Sequence, residues 1–295
     1  MAPRHATIAA ALALAAACAP ASLSVTPAAT PQHQSAPVSL SAVVTERTEH
    51  VPPIDQEKLT KQLRAFIGKH PGRTTAAVED LLTGRVYQFR PNEQLPTAST
   101  AKVNILMAAL RTTRWKKLPA SVRRDADIMI RVSDNKAADR LWERIGREGG
   151  LTRANKAFKL KKTTAVGGRC VDLYCWGITR TTAPDQVRLI KLLTRKNSPI
   201  KDRRTILTLM EKVVPEQKWG ISAGACKGES VALKNGWLKH VSNKQWVIVS
   251  AGLIANRFAV AVLTEDNPSS ESGIAKVEKI TEHLMAAFRT CPPAE

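Results

Sequence analysis

A chain of 295 residues, 43% hydrophobic and 24% charged, carries enough apolar material for one large domain or two small ones. That balance excludes a wholly disordered chain, and after residue 20 no apolar run approaches the length of a helical membrane span, which excludes a multi-span helical membrane protein. The 45 Lys and Arg against 25 Asp and Glu leave a formal charge of +20, a field that favours anionic partners such as nucleic acid, acidic membrane or a wall polymer.

In chain order, Arg4 and His5 precede Ala6 to Ala17, a short Ala/Leu/Ile run followed by small residues. This is the pattern of a secretory signal over residues 1–18. Cys18 after Ala15-Ala16-Ala17 has the outline of a lipoprotein cleavage site, although the usual leucine stands one place too early, at Leu14. The expected location is secreted or extracytoplasmic, with lipid anchorage through Cys18 left open. Residues 19–52, rich in Pro, Ala, Ser and Thr, read as a disordered linker.

Asp55 is placed to N-cap a helix with Leu59, Leu63, Phe66 and Ile67 on one face. Two β-prone runs, Thr74 to Leu82 and Arg85 to Phe89, meet at Thr83-Gly84 as in a hairpin. A helical middle follows: Val103, Leu106, Met107 and Leu110 share one face, and Ala138, Leu141, Trp142 and Ile145 another. Thr163 to Thr179 is irregular, and Thr182 is placed to cap a helix carrying Val187, Ile190 and Leu193. The chain then predicts a short strand at Val231 to Leu233, longer ones at Trp246 to Ile254 and Phe258 to Leu263, and a last helix through Ile274, Val277, Leu284 and Phe288. This order implies an α/β lobe from both chain ends (53–97 plus 212–291) with an α-helical lobe (98–211) inserted, together one domain over 53–291.

Besides Cys18, the chain has Cys170, Cys175, Cys226 and Cys291, an even set that permits disulfides in three connectivities. No histidine is close in sequence to the first pair and no Cys-x-x-Cys occurs, so no metal site is expected.

Three motifs carry chemistry: Ser99-Thr100-Ala101-Lys102 at the start of the first middle helix, Ser133-Asp134-Asn135 in a turn, and Lys234-Asn235-Gly236 after the short strand. A serine hydroxyl becomes a nucleophile only when a neighbour takes its proton, and an amine three residues on shares its helix face. Burial and a second cation such as Lys234 both lower the pKa of Lys102 and free its lone pair. Ser133 is placed to pass a proton to a leaving nitrogen, Asn135 to hold Lys102 or a substrate amide, and Lys234 to hold a substrate carboxylate. Gly236 lets the backbone come close, and a helix N-terminus presents N–H groups to a developing oxyanion.

The ordered set S-x-x-K, S-D-N and K-x-G resembles that of the penicillin-recognising serine enzymes, the class A β-lactamases and their penicillin-binding-protein relatives, over roughly residues 53 to 290. The resemblance implies an α+β, β-lactamase/transpeptidase-like fold, an antiparallel sheet flanked by the terminal helices with an inserted all-α lobe. It implies Ser99 as acylated nucleophile, Lys102 as its base, Ser133 as proton shuttle, and Asn135, Lys234, Asn235, Gly236 and Trp237 around the substrate. The N–H groups of Ser99 and Trp237 then form the oxyanion hole. No cofactor is implied, and the expected ligand of a monomer is a β-lactam or a peptidoglycan stem peptide.

Two departures stand out. Asn235 replaces the usual Thr or Ser, and the loop before Thr182 lacks the glutamate that activates the deacylating water in class A enzymes. Its only carboxylate is Asp172. Acylation is therefore expected and fast β-lactam turnover is not. Weight shifts toward a slow β-lactamase or a D-alanyl-D-alanine carboxypeptidase; a hydrolase of another small amide or ester, and a non-catalytic binder of β-lactams or wall fragments, are the other readings.

A rival nucleophile, Ser222 in Gly220-Ile221-Ser222-Ala223-Gly224, lacks the flanking strand and helix that a nucleophile elbow requires, and His283 reads as a boundary residue of the last helix. Trp176 and the Trp237 side chain read as packing aromatics. With an export signal and no nucleic-acid-binding motif, the basic charge points to anionic wall polymers and not to nucleic acid.

Overall fold

The computed structural model describes residues 52–168, 170 and 174–292, all of them within one compact unit. The expected leader, Cys18 and the linker up to residue 51 lie outside the described residues, as does Asp172.

The elements are α1 (Gln56–Gly68), β1 (Arg73–Asp80), β2 (Val86–Phe89), β3 (Leu95–Pro96), α2 (Ala101–Thr112), α3 (Ala120–Arg131), α4 (Asn135–Ile145), α5 (Arg147–Ala157), β4 (Arg180–Thr181), α6 (Ala183–Thr194), α7 (Arg203–Glu211), β5 (Val231–Lys239), β6 (Trp246–Ile254), β7 (Phe258–Asn267) and α8 (Ser270–Phe288). The main sheet has the order β2-β1-β7-β6-β5, with every neighbouring pair antiparallel, and β3 pairs with β4 in a small second sheet.

β6 and the first six residues of β7 read as nearly continuous apolar runs because both faces of the sheet are covered there. Along β7, Phe258, Val260 and Val262 join the core beneath α1 and α8, while Ala259, Ala261 and Leu263 join the core shared with the middle helices. Asp55 does cap α1, accepting from Lys58 N, and Thr182 caps α6, accepting from Asp185 N.

Two expectations change. The strand predicted to end at Leu233 runs on to Lys239, so Lys234, Asn235 and Gly236 lie inside β5, held in register against Ala251, Ser250 and Val249. Polar residues ended the apolar run in the sequence, but ladder hydrogen bonds and burial of all three carry the strand through them. Ser99 also precedes the helix proper: Ala98–Thr100 is a 3₁₀ turn and α2 begins at Ala101.

The cysteines pair as Cys170–Cys175 and Cys226–Cys291. The second closes a loop of 65 residues and ties the segment before β5 to the end of α8. Removing it frees considerable entropy in the unfolded chain, so Cys226→Ser is expected to cost about 3–4 kcal/mol in urea unfolding. Breaking Cys170–Cys175, which spans five residues, is expected to cost less.

Candidate active site

Ser99 is positioned by what precedes it. Thr97 N donates to Thr179 O and Ala98 N to Gly177 O, each at 2.8 Å, and the Thr97 hydroxyl donates to Trp176 O at 3.1 Å. Ala98 sits at φ +43° in the left-handed region, which turns the chain from β3 into the helix. The backbone oxygens of Trp176, Gly177 and Thr179 thus clamp the approach to the serine. Behind it, α2 is buried from Ala101 to Leu110, which makes it the central helix of the packed core.

Lys102 is fully buried, and its Nζ is 3.0 Å from Ser99 Oγ. The same nitrogen reaches Ser133 O at 2.6 Å, Asn135 Oδ1 at 2.7 Å and Ser133 Oγ at 3.0 Å. The backbone makes this possible: Ser133 lies at φ +66°, and Asp134 caps α4 through Ala137 N, turning Ser133 and Asn135 inward. The two shortest contacts are to oxygens that only accept. A neutral amine directing its two hydrogens to them points its lone pair toward the hydroxyls.

Burial pushes the Lys102 ammonium down to about 7, against the opposing pull of Asp134 and Asp139. Lys234, also buried, donates to Ser133 Oγ at 2.9 Å and to Asn235 O at 2.8 Å. Its pKa falls well below the usual lysine value, first through burial and then through the charge of Lys102. One hydroxyl, that of Ser133, therefore bridges two amines that disfavour each other's protonation.

Gly236 brings β5 against the serine. A Cβ there would stand 2.5 Å from Ser99 N and 3.0 Å from the Ala98 Cβ. Gly236→Ala is expected to force the strand away from Ser99 and to slow acylation about 100-fold or more while the protein stays folded, as followed by intact mass. Trp237 is 41% exposed, and its ring lies 6.2 Å from that of Trp219.

Asn235 is where the expectation is corrected. Both amide hydrogens are taken, by Gln217 O at 2.7 Å and Trp219 O at 2.9 Å, so the side chain braces the 217–219 segment and has no donor left for a substrate carboxylate. A residue alternating to the far side from Lys234 meets that segment instead. Ser99, Ser133 and Asn135 converge on Lys102, and Lys234 joins them through the Ser133 hydroxyl.

Gly220–Gly224 is a 3₁₀ turn, with Ser222 Oγ donating to Lys218 O, and His283 packs against Phe66 at 5.8 Å between ring centroids; no second catalytic cluster forms there.

One residue read from sequence as mere packing belongs to the site. The face of the Trp176 indole lies 4.8 Å from Lys102 Nζ, and its N–H donates to Asp139 Oδ1 at 2.8 Å. The available sequence signal was its position in the loop where the glutamate was missing.

The family model described as "Beta-lactamase enzyme family" matches residues 58–120 and 115–288. Among sequence relatives, the protein named "Putative lipoprotein LppW" of Mycobacterium tuberculosis is 26% identical over 225 residues, 72% of this chain and 69% of its own. Among solved structures, PBP-A superposes with a TM-score of 0.66 at 20% identity, over 81% of this chain and 98% of that one. A Xanthomonas campestris β-lactamase gives 0.67 at 17% identity, over 79% and 98%. With the matched region covering most of the chain, this protein belongs to the β-lactamase enzyme family, and the solved structures share its fold.

Proposed function

We propose that the protein is an exported serine hydrolase that opens β-lactam amides through an acyl-enzyme on Ser99 and turns them over slowly. The observation that carries this reading is the 3.0 Å contact between the Lys102 amine and the Ser99 hydroxyl, with the acceptors Ser133 O and Asn135 Oδ1 still closer to the same nitrogen. In the first half-reaction Lys102 takes the hydroxyl proton while Ser99 Oγ bonds to the lactam carbonyl carbon. The developing oxyanion is met by the N–H groups of Ser99 and Trp237, Gly236 allowing that approach. As the C–N bond breaks, Ser133 gives its proton to the leaving nitrogen and is resupplied by one of the amines it touches. A substrate carboxylate beside Lys234 would favour that amine's charged form against the effect of burial, and so find its counter-charge there. Export is supported by the leader-like sequence and by the lipoprotein name of the mycobacterial relative.

A D-alanyl-D-alanine carboxypeptidase or penicillin-binding role shares this first half-reaction and is favoured by the absence of glutamate from the sequence of the 163–182 loop. Incubation with penicillin G followed by intact mass separates the readings. A transient Ser99 adduct with hydrolysed drug supports the β-lactamase, a persistent adduct the penicillin-binding protein, and no adduct removes both. Ser99→Ala is expected to abolish the adduct.

An anionic wall polymer as second partner is supported by a cleft of about 370 Å³ lined by Lys159, Lys161, Lys162, Arg188, Lys191 and Arg195, in which Glu79 and Asp185 are the only acids. Reversing Lys161 and Lys162 to Glu is expected to weaken sedimentation with purified wall; unchanged sedimentation would remove this partner.

A further inference from the structure

We infer that Trp176 is the residue that makes the acyl-enzyme long-lived, by keeping hydrolytic water away from the Lys102 amine that would activate it. The inference rests on the acyl-enzyme reading above and adds what decides the second half-reaction.

Deacylation forms a bond between a water oxygen and the acyl carbonyl carbon and breaks the bond to Ser99 Oγ. One water proton passes to a base and a proton returns to the serine oxygen. The water must therefore reach both the ester and a base.

Among the described residues Lys102 Nζ is the base nearest Ser99, and its surroundings are full. Ser99 Oγ, Ser133 O, Ser133 Oγ and Asn135 Oδ1 stand around it within 3.0 Å, and the indole face covers a further flank at 4.8 Å. The lysine is fully buried and Trp176 is only 3% exposed, so the ring closes the pocket on the loop side.

The ring is fixed from several directions. Its N–H donates to Asp139, Tyr174 stacks on it at 4.8 Å between centroids, and its carbonyl accepts from Thr97 two residues before the nucleophile. The carboxylates that act on Lys102 are themselves engaged: Asp139 holds the indole and Asp134 caps α4. A rigid, apolar surface thus stands where water and its base would have to enter, and by excluding water it also keeps the amine neutral. Trp176 is a positioning residue, acting on the ester through Lys102 and the water it shuts out.

The test follows the penicillin G adduct by intact mass in the wild type and in Trp176→Ala, Trp176→Phe and Asp139→Ala. Acylation is expected in all four. The adduct half-life should fall by at least about tenfold in Trp176→Ala and change little in Trp176→Phe, which keeps a ring; Asp139→Ala, which releases the indole N–H, should fall between. The pH midpoint of acylation should also rise above about 7 in Trp176→Ala, because water reaching the amine favours its charged form. Purely structural damage would not move that midpoint.

Equal half-lives in the wild type and Trp176→Ala would overturn the inference. If Trp176→Ala does not fold, an unchanged half-life in Asp139→Ala would do the same. A wild-type adduct that clears within seconds also overturns it while leaving Ser99 acylation intact. No wild-type adduct at all removes the acyl-enzyme reading, and this inference with it.

Discussion

Acylation of Ser99 by a penicillin is expected to quicken about tenfold per pH unit below about 7 and to level off above it, since the reaction needs the unprotonated Lys102 amine. An ordinary lysine would give a rate still climbing toward pH 10. Here burial favours the neutral form, and the carbonyl of Ser133 and the carboxamide of Asn135 orient it by taking its hydrogens. Removing the base by Lys102→Met is expected to slow acylation by about 10²–10⁴-fold, the range for a positioned proton acceptor. Asn135→Leu should cost less, because it loosens one of the two oxygens that aim the lone pair and leaves the amine in place. Rapid-quench mass measurement across roughly pH 5–9 reads all three proteins. A pH-independent wild-type rate would remove Lys102 from the role of base.

The same burial has a stability consequence of opposite sign. Lys102 falls from 10.5 to about 7 on folding, so between those values the unfolded chain binds more protons than the folded one. Stability therefore rises with pH through that window, and at pH 7 and below the cost of the buried lysine is felt almost in full. At about 1.4 kcal/mol per unit the cost is on the order of 5 kcal/mol. Lys102→Met removes it but leaves Ser133 O and Asn135 Oδ1 without their donor, which costs part of the gain. A net increase of about 2 kcal/mol is expected in urea unfolding at neutral pH, shrinking as pH approaches the value of a free lysine. A methionine variant less stable than the wild type would show that the amine holds the site together more than it strains it.

Much of this was legible beforehand because some signals are local. The capped starts at Asp55 and Thr182 depend on one side chain and a backbone N–H three residues on. The pairing of Ser99 with Lys102 depends on one helical turn. The Trp246–Ile254 strand and the turn Ala255-Asn256-Arg257 that follows it were set by an apolar run and its interruption.

What was not legible concerns residues whose partners are remote in sequence. The true length of β5 is decided by its ladder with β6, not by the polarity of Lys234 and Asn235. Asn235 was expected to face a ligand and instead braces the chain 16 and 18 residues before it, because strand alternation sets its direction. Trp176, 74 residues beyond Lys102, became part of the site only through the loop's hydrogen bonds to Thr97 and Ala98.

The sequence alone determined which chemical groups the protein possesses and roughly which element carries each, since propensity, capping and i, i+3 spacing act within a few residues of chain. Only the tertiary structure decided how far burial lowers the pKa of Lys102, which oxygens surround its nitrogen and which cysteines pair. Desolvation and hydrogen-bond geometry are properties of what surrounds an atom, and Ser133, Trp176 and Lys234 arrive beside Lys102 only when the chain closes on itself.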